Sequence, residues 1–248
     1  MDNQDSSGLR TRPQTASRQM SLPVQQTPAS PEAGDYPDVV RLAGELAGDA
    51  NQLWTRLADG ADLLWLAASV GVDPHMVASV ALDALSSADD EVEAGCAEVH
   101  DVLFAARARL AGHGSEKALE EAGTDAYCRI AFNREPPLPD DADVVTNAAV
   151  YAAQATEWAA HATGNCQATE HFVDPAELGP GDAAMVLAKL AMLRPVRQGL
   201  DGRDPEWKAE LAIEAARWAD FVRVRIDFSQ VLAGVHRAVD CRAGSDPA

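Results

Sequence analysis

Aromatic residues are scarce in this 248-residue chain, at 5%. Lysine is scarcer still, with 3 residues against 17 arginines. All basic side chains together number 20 against 39 acids, giving a net charge of −19 and an isoelectric point of 4.5. Phosphate contacts need clustered lysine and arginine, so this shortage argues against nucleic-acid binding. A membrane-spanning helix needs roughly 18 or more consecutive apolar residues. The longest candidate, LLWLAASVGV at 63–72, is about half a span. The N-terminal MDNQDSSGLR has neither a basic n-region nor an apolar h-region, which argues against export by a signal peptide. The four cysteines, at 96, 128, 166 and 241, form no CxxC pair, so reduced thiols and a cytoplasmic location are expected. HExxH, GxSxG, GxxxxGK[ST] and a strand-borne GxGxxG are all missing, which leans away from an enzyme and gives no reason to expect a cofactor.

What the chain has in quantity is alanine, 48 residues or about one in five, arranged with helical period. Residues 1–35 are the exception. They hold Pro13, Pro23, Pro28 and Pro31 among Ser, Thr and Gln, too little apolar surface to offset the entropy of ordering, and read as a disordered tail. Residues 242–248 read as a frayed end. Between them, 36–241 is predicted to be a single all-α domain, a bundle of about eight or nine helices. Val39, Leu42, Leu46, Ala50, Leu53 and Leu57 mark one helical face, weakened by Gly44 and Gly48. A second helix spans about 61–70 and ends at Gly71. Asp73-Pro74 pairs an N-cap with a proline at the first helical position, and the same dipeptide recurs at Asp174-Pro175 and Asp204-Pro205.

Val92, Cys96, Val99, Leu103, Ala106 and Leu110 predict a fourth helix over about 89–111. Ser115 opens another to about Ala131, and 133–141 is a proline-stiffened connector. Helix 142–163 comes next, then an irregular stretch to 181, helices at 182–193 and 205–226, and a last one near 229–240. VRVRIDF at 222–228 alternates with period two, yet Ala215, Trp218, Val222 and Ile226 continue the preceding helical stripe. It is therefore assigned to helix, with strand as the alternative.

Three features could carry function. The first is charge placement. No base occurs between Arg56 and Arg107 against ten acids, nor between Arg134 and Lys189 against nine, whereas 189–242 holds ten bases and eight acids. Helix caps and first turns account for some of these acids. The functional reading is an electronegative face that docks a basic protein, with Asp83, Asp89, Asp90, Glu91, Glu93 and Glu98 as contacts. The second is the row Asn147, Tyr151, Gln154 and Trp158, beside the alanine row Ala148, Ala152, Ala155, Ala159 and Ala162. It reads either as a partner-contact face or as a boundary row packed on a neighbouring helix. The third is Glu157, His161, Cys166 and His171, whose residue types suit zinc although their spacing matches no common zinc pattern. The bland alternative is ordinary polar residues at a helix end, and metal is not the expected reading.

LLWLAASVGVDPHMVASVALDALSSA (63–88) and WADFVRVRIDFSQVLAG (218–234) resemble the opening helix pair and the closing segment of alanine-rich, all-helical bacterial proteins that are mostly uncharacterised and sometimes labelled immunity proteins. The resemblance spans about 43 residues, and the connectors at 133–141 and 164–181 depart from it. It implies a helical protein with an interaction role, and it brings no functional residues with it. The leading expectation is an acidic interaction protein of the immunity-antitoxin type. The alternatives are a helical enzyme or small-molecule- or metal-binding protein with a pocket at Trp158, His161 and His171, and a module that self-associates through its alanine faces.

Overall fold

The computed structural model describes residues 50–92, 96–132, 140–164 and 178–233, and every regular element among them is helical. The helices are α1 (Ala50–Arg56), α2 (Gly60–Ser69), α3 (Pro74–Asp89), α4 (Ala97–Leu110), α5 (Glu116–Ala131), α6 (Asp140–Ala162), α7 (Pro180–Leu190), α8 (Leu193–Arg197) and α9 (Trp207–Arg225). Residues 228–233 are helical again. No helix among the described residues is long and apolar enough to cross a membrane. The tail, the helix expected before Ala50, the Asp174-Pro175 start and the C-terminal end lie outside the described residues.

Local chemistry sets most of the boundaries. The Asp59 carboxylate accepts from the Ala61 N–H at 2.7 Å and opens α2. Gly71, with φ of +81°, turns the chain out of that helix as expected. Asp73 accepts from His75 N–H at 3.0 Å with Pro74 behind it, and Ser115 accepts from Ala118 N–H at 3.1 Å. In GPGD, Pro180 is the first residue of α7 and Asp182 reaches back to the Gly179 N–H at 3.0 Å.

Two expectations are corrected, and the assignment of VRVRIDF to helix holds. The helix expected over 89–111 is divided: α3 runs on to Asp89, and α4 starts at Ala97 after an extended Cys96 (φ −96°, ψ 124°). Val92 and Cys96 nonetheless stay buried with Val99 and Leu103, so the apolar stripe crosses a break in the backbone. Asp204 does not cap α9; its side chain accepts from Asp201 N–H upstream at 2.6 Å, and the helix begins at Trp207. Alternating VRVRIDF forms no strand. It stays in α9 to Arg225, breaks at Ile226, and restarts where Asp227 accepts from Ser229 N–H and Gln230 accepts from Asp227 N–H.

At the centre lies α6, which packs against α3, α4, α5 and α7. Ala148, Ala152, Ala155 and Ala159 are buried as its stripe predicts; Ala162, on the last turn, is exposed. Side chains this small let neighbouring backbones approach closely. Buried Thr146 and Thr156 donate their hydroxyls to Ala142 and Ala152 carbonyls one turn back, at 2.7 and 2.8 Å, so neither polar group is stranded. Volume is filled from the surrounding helices by Leu63, Leu64, Leu82, Leu85, Leu119, Leu187, Leu190 and Trp218.

A tight joint lies between α2 and α9. A Cβ placed on Gly60 would lie 2.6 Å from the Trp218 backbone carbon and 2.9 Å from the Ala219 nitrogen. Arg223 then clamps the preceding turn, donating to the carbonyls of Trp54, Thr55 and Leu57. Alanine ordinarily strengthens a helix relative to glycine, but here the contact decides the sign. Gly60→Ala is expected to lower the unfolding free energy by roughly 1–3 kcal/mol. Urea denaturation measures it, and an unchanged or raised midpoint would show that α9 gives way.

Candidate functional site

A groove of about 530 Å³ opens where the end of α3 meets α4, lined among others by Ser86, Asp89, Asp90, His100, Phe104 and His113. Its α4 wall follows from helical spacing. His100, Phe104 and Arg107 stand at i, i+4 and i+7 on one face, while Val99, Val102, Leu103 and Ala106 bury the other. Phe104 is left 80% exposed. A phenylalanine ring that open to water forgoes most of its burial free energy, about 1.5–3 kcal/mol for a large apolar side chain.

The groove floor is electrostatic. Asp89 is buried and its Oδ2 meets His100 Nε2 at 2.8 Å, while the His100 ring is mostly exposed. Burial pushes the Asp89 carboxyl above the ordinary 3.8; His100 opposes that shift and neighbouring Asp90 adds to it. Asp90 itself is exposed and has no ion-pair partner among the described residues.

Other acids named from sequence are engaged within the chain. Exposed Glu91 accepts from Arg197 at 3.2 Å and from Arg217, so its carboxyl is held low chiefly by Arg217. Arg197 also contacts Asp141 at 3.5 Å, and Asp83 lies 3.7 Å from Arg225 and 3.9 Å from Arg107. Glu98 lies 3.9 Å from Arg129 and accepts from the Cys96 thiol at 2.8 Å. Glu93 lies outside the described residues. The arginines of the C-terminal third thus reach back to the first base-free block, and segregation along the sequence becomes pairing in space.

Asn147, Tyr151, Gln154 and Trp158 form one half-buried row on α6. Tyr151 and Trp158 pack against the core, and the Lys189 ammonium lies 5.6 Å from the Tyr151 ring centre. The row therefore sits at the edge of the core, half open to solvent. At the end of α6, Glu157 and His161 do come together, joined by Glu116 from the first turn of α5, with one ligand atom of each within 4.8 Å of the others. Arg109 donates to both Glu157 oxygens at 3.4 Å. Cys166 and His171 lie outside the described residues.

Phe104 and Glu116 were not singled out from the sequence. The signal for Phe104 was present, an aromatic on the polar face opposite an apolar stripe. Glu116 joins Glu157 only through the packing of α5 on α6. No protein-family model matches the chain, and no curated protein or solved structure matches it either.

Asp89 and Glu91 are two residues apart with opposite shifts, so they respond oppositely to pH. Folding raises the Asp89 value, so its ionised form costs stability as pH rises through the folded value. Folding lowers the Glu91 value, so its contribution is present at neutral pH and lost on acidification. Relative to the parent chain, Asp89→Asn is expected to gain stability as pH rises from about 3 to about 7. Glu91→Gln is expected to lose about 1 kcal/mol at neutral pH, discounted for exposure, and to converge with the parent in acid. Urea unfolding across this range checks both; a Glu91→Gln deficit that persists in acid contradicts the assignment.

Proposed function

We propose that this chain is an acidic, helical interaction protein of the immunity-antitoxin type that binds a basic protein partner at the α3–α4 corner. The observation that carries this reading is Phe104, 80% exposed on a groove shared with Asp89 and Asp90. An isolated exposed apolar side chain is common; an exposed aromatic beside acids in a concave site is the composition of an interface anchor. Phe104 supplies apolar area, while Asp90, without an ion-pair partner among the described residues, and the exposed Asp101 of α4 supply negative potential that steers a cationic surface towards the groove. A lysine or arginine stem lying over the ring with its charge towards Asp90 satisfies both at once.

Net charge supports the sign of the partner, since 39 acids against 20 bases leave an excess that internal ion pairs do not consume. The resemblance of 63–88 and 218–234 to immunity-type proteins supports the class. These two stretches are α2 with α3 and the end of α9, and α9 packs directly on α2.

The test uses a basic partner recovered by affinity capture and then purified. Its binding is titrated from low to high ionic strength against the parent chain, Phe104→Ala and Asp90→Lys. Affinity is expected to fall steeply with salt, and each substitution to weaken it at least tenfold, a loss in the range of an interface anchor, about 1.4 kcal/mol or more. A tight complex indifferent to salt and to both substitutions would overturn the reading.

A further inference from the structure

We propose that Glu116, Glu157 and His161 form a binding site for one divalent transition-metal ion, bridging the start of α5 and the end of α6. Glu157 and His161 are four residues apart in a helix of 23 residues, so both project from the same face on a rigid support. Glu116 approaches from the first turn of α5, fixed there by the Ser115 cap. The three ligand atoms already lie within 4.8 Å of one another. Ligands about 2.0–2.2 Å from a metal stand at most about 4.4 Å apart, so closing the set takes a small side-chain adjustment and no helix movement.

The chemistry of the cluster favours a cation. Two carboxylates meet there at a half-buried position. Arg109 donates to both Glu157 oxygens at 3.4 Å, longer than the roughly 2.7–2.9 Å of a tight charge-assisted bond. A cation at the convergence point of the three ligand atoms would offset the mutual repulsion of the two carboxylates. Two oxygen donors and one imidazole nitrogen suit ions from manganese to zinc, with water completing the coordination. The site shares no residue with the α3–α4 groove, so it stands or falls independently of partner binding there.

Metal-free full-length chain is titrated with Zn²⁺ by calorimetry and with Co²⁺ by absorption. One saturable equivalent per chain is expected, with cobalt d–d bands and no thiolate-to-cobalt charge transfer. Glu116→Gln and His161→Ala are each expected to weaken Zn²⁺ at least tenfold while leaving the helical circular dichroism unchanged. If His161→Ala loses helicity, His161→Gln keeps the side-chain length and serves in its place. Absence of saturable binding, binding that survives both substitutions, or a thiolate band would overturn the proposal, leaving the cluster as an ion-pair network around Arg109.

Discussion

Close helix approach around α6 is the constraint on which the rest of this structure depends. Of its 23 residues 12 are buried, which is more than one amphipathic face supplies, so α6 is enclosed on several sides rather than docked on one. Alanine makes this geometry accessible. A leucine stripe would hold the neighbours further out; a methyl group lets α3, α4, α5 and α7 close on the same helix. Such a centre buries little area per residue, so the large side chains sit in the outer helices and point inward. Gly60 against Trp218 follows the same logic at the joint between α2 and α9, where even one methyl is too many.

The ends of α6 inherit this order. Its first turn carries Asp141 to Arg197, which also holds Glu91 beyond the end of α3. Its last turns carry Glu157 and His161 to Glu116. The helix that forms the apolar centre thus also fixes polar groups at both of its ends. Arginine rather than lysine suits the first junction, because one guanidinium fork can serve Glu91 and Asp141 together.

Much of this was legible in the sequence, for reasons that differ between elements. The all-helical class, the Asp73 and Ser115 caps, the Gly71 exit and the buried alanine row of α6 are written in spacing and turn chemistry that act within a few residues. The division between α3 and α4 was not legible, because Val92 and Cys96 are buried on both sides of the break; periodicity reports which residues face the core, and that face persists when the backbone leaves the helix. Asp204 was misassigned because an Asp-Pro dipeptide serves a turn as readily as a cap, and here Asp201 N–H claimed the carboxylate. The charge blocks were correctly located, but their meaning is tertiary. Glu91 and Arg217 are 126 positions apart, and no local pattern announces their pairing. The candidate metal cluster divides in the same way, Glu157 and His161 being visible as an i, i+4 pair and Glu116 arriving only through packing.

Local departures occur in several places among the described residues, as at the exposed Val224 and Phe132 and the buried Trp218 Nε1, which has no hydrogen-bond partner, but the corner between α3 and α4 gathers three of them. The caps of α2, α3 and α5 are filled, Thr146 and Thr156 are satisfied, and the exposed acids Asp83 and Glu91 are drawn to arginines. Within this corner, however, the fold buries Asp89 with its ionised form disfavoured, leaves Asp90 beside it without an ion-pair partner among the described residues, and exposes Phe104 to water. Burial of Asp89 lowers the stability of the isolated chain when it is ionised, and the exposed Phe104 ring contributes little to it. Departures from local optimality gathered at one concave place mark a functional site more strongly than the same departures scattered. On the function proposed above, a basic partner would cover the Phe104 ring, sit against the Asp90 carboxylate and favour the ionised form of Asp89 beneath them, so that the groove becomes complementary in the complex.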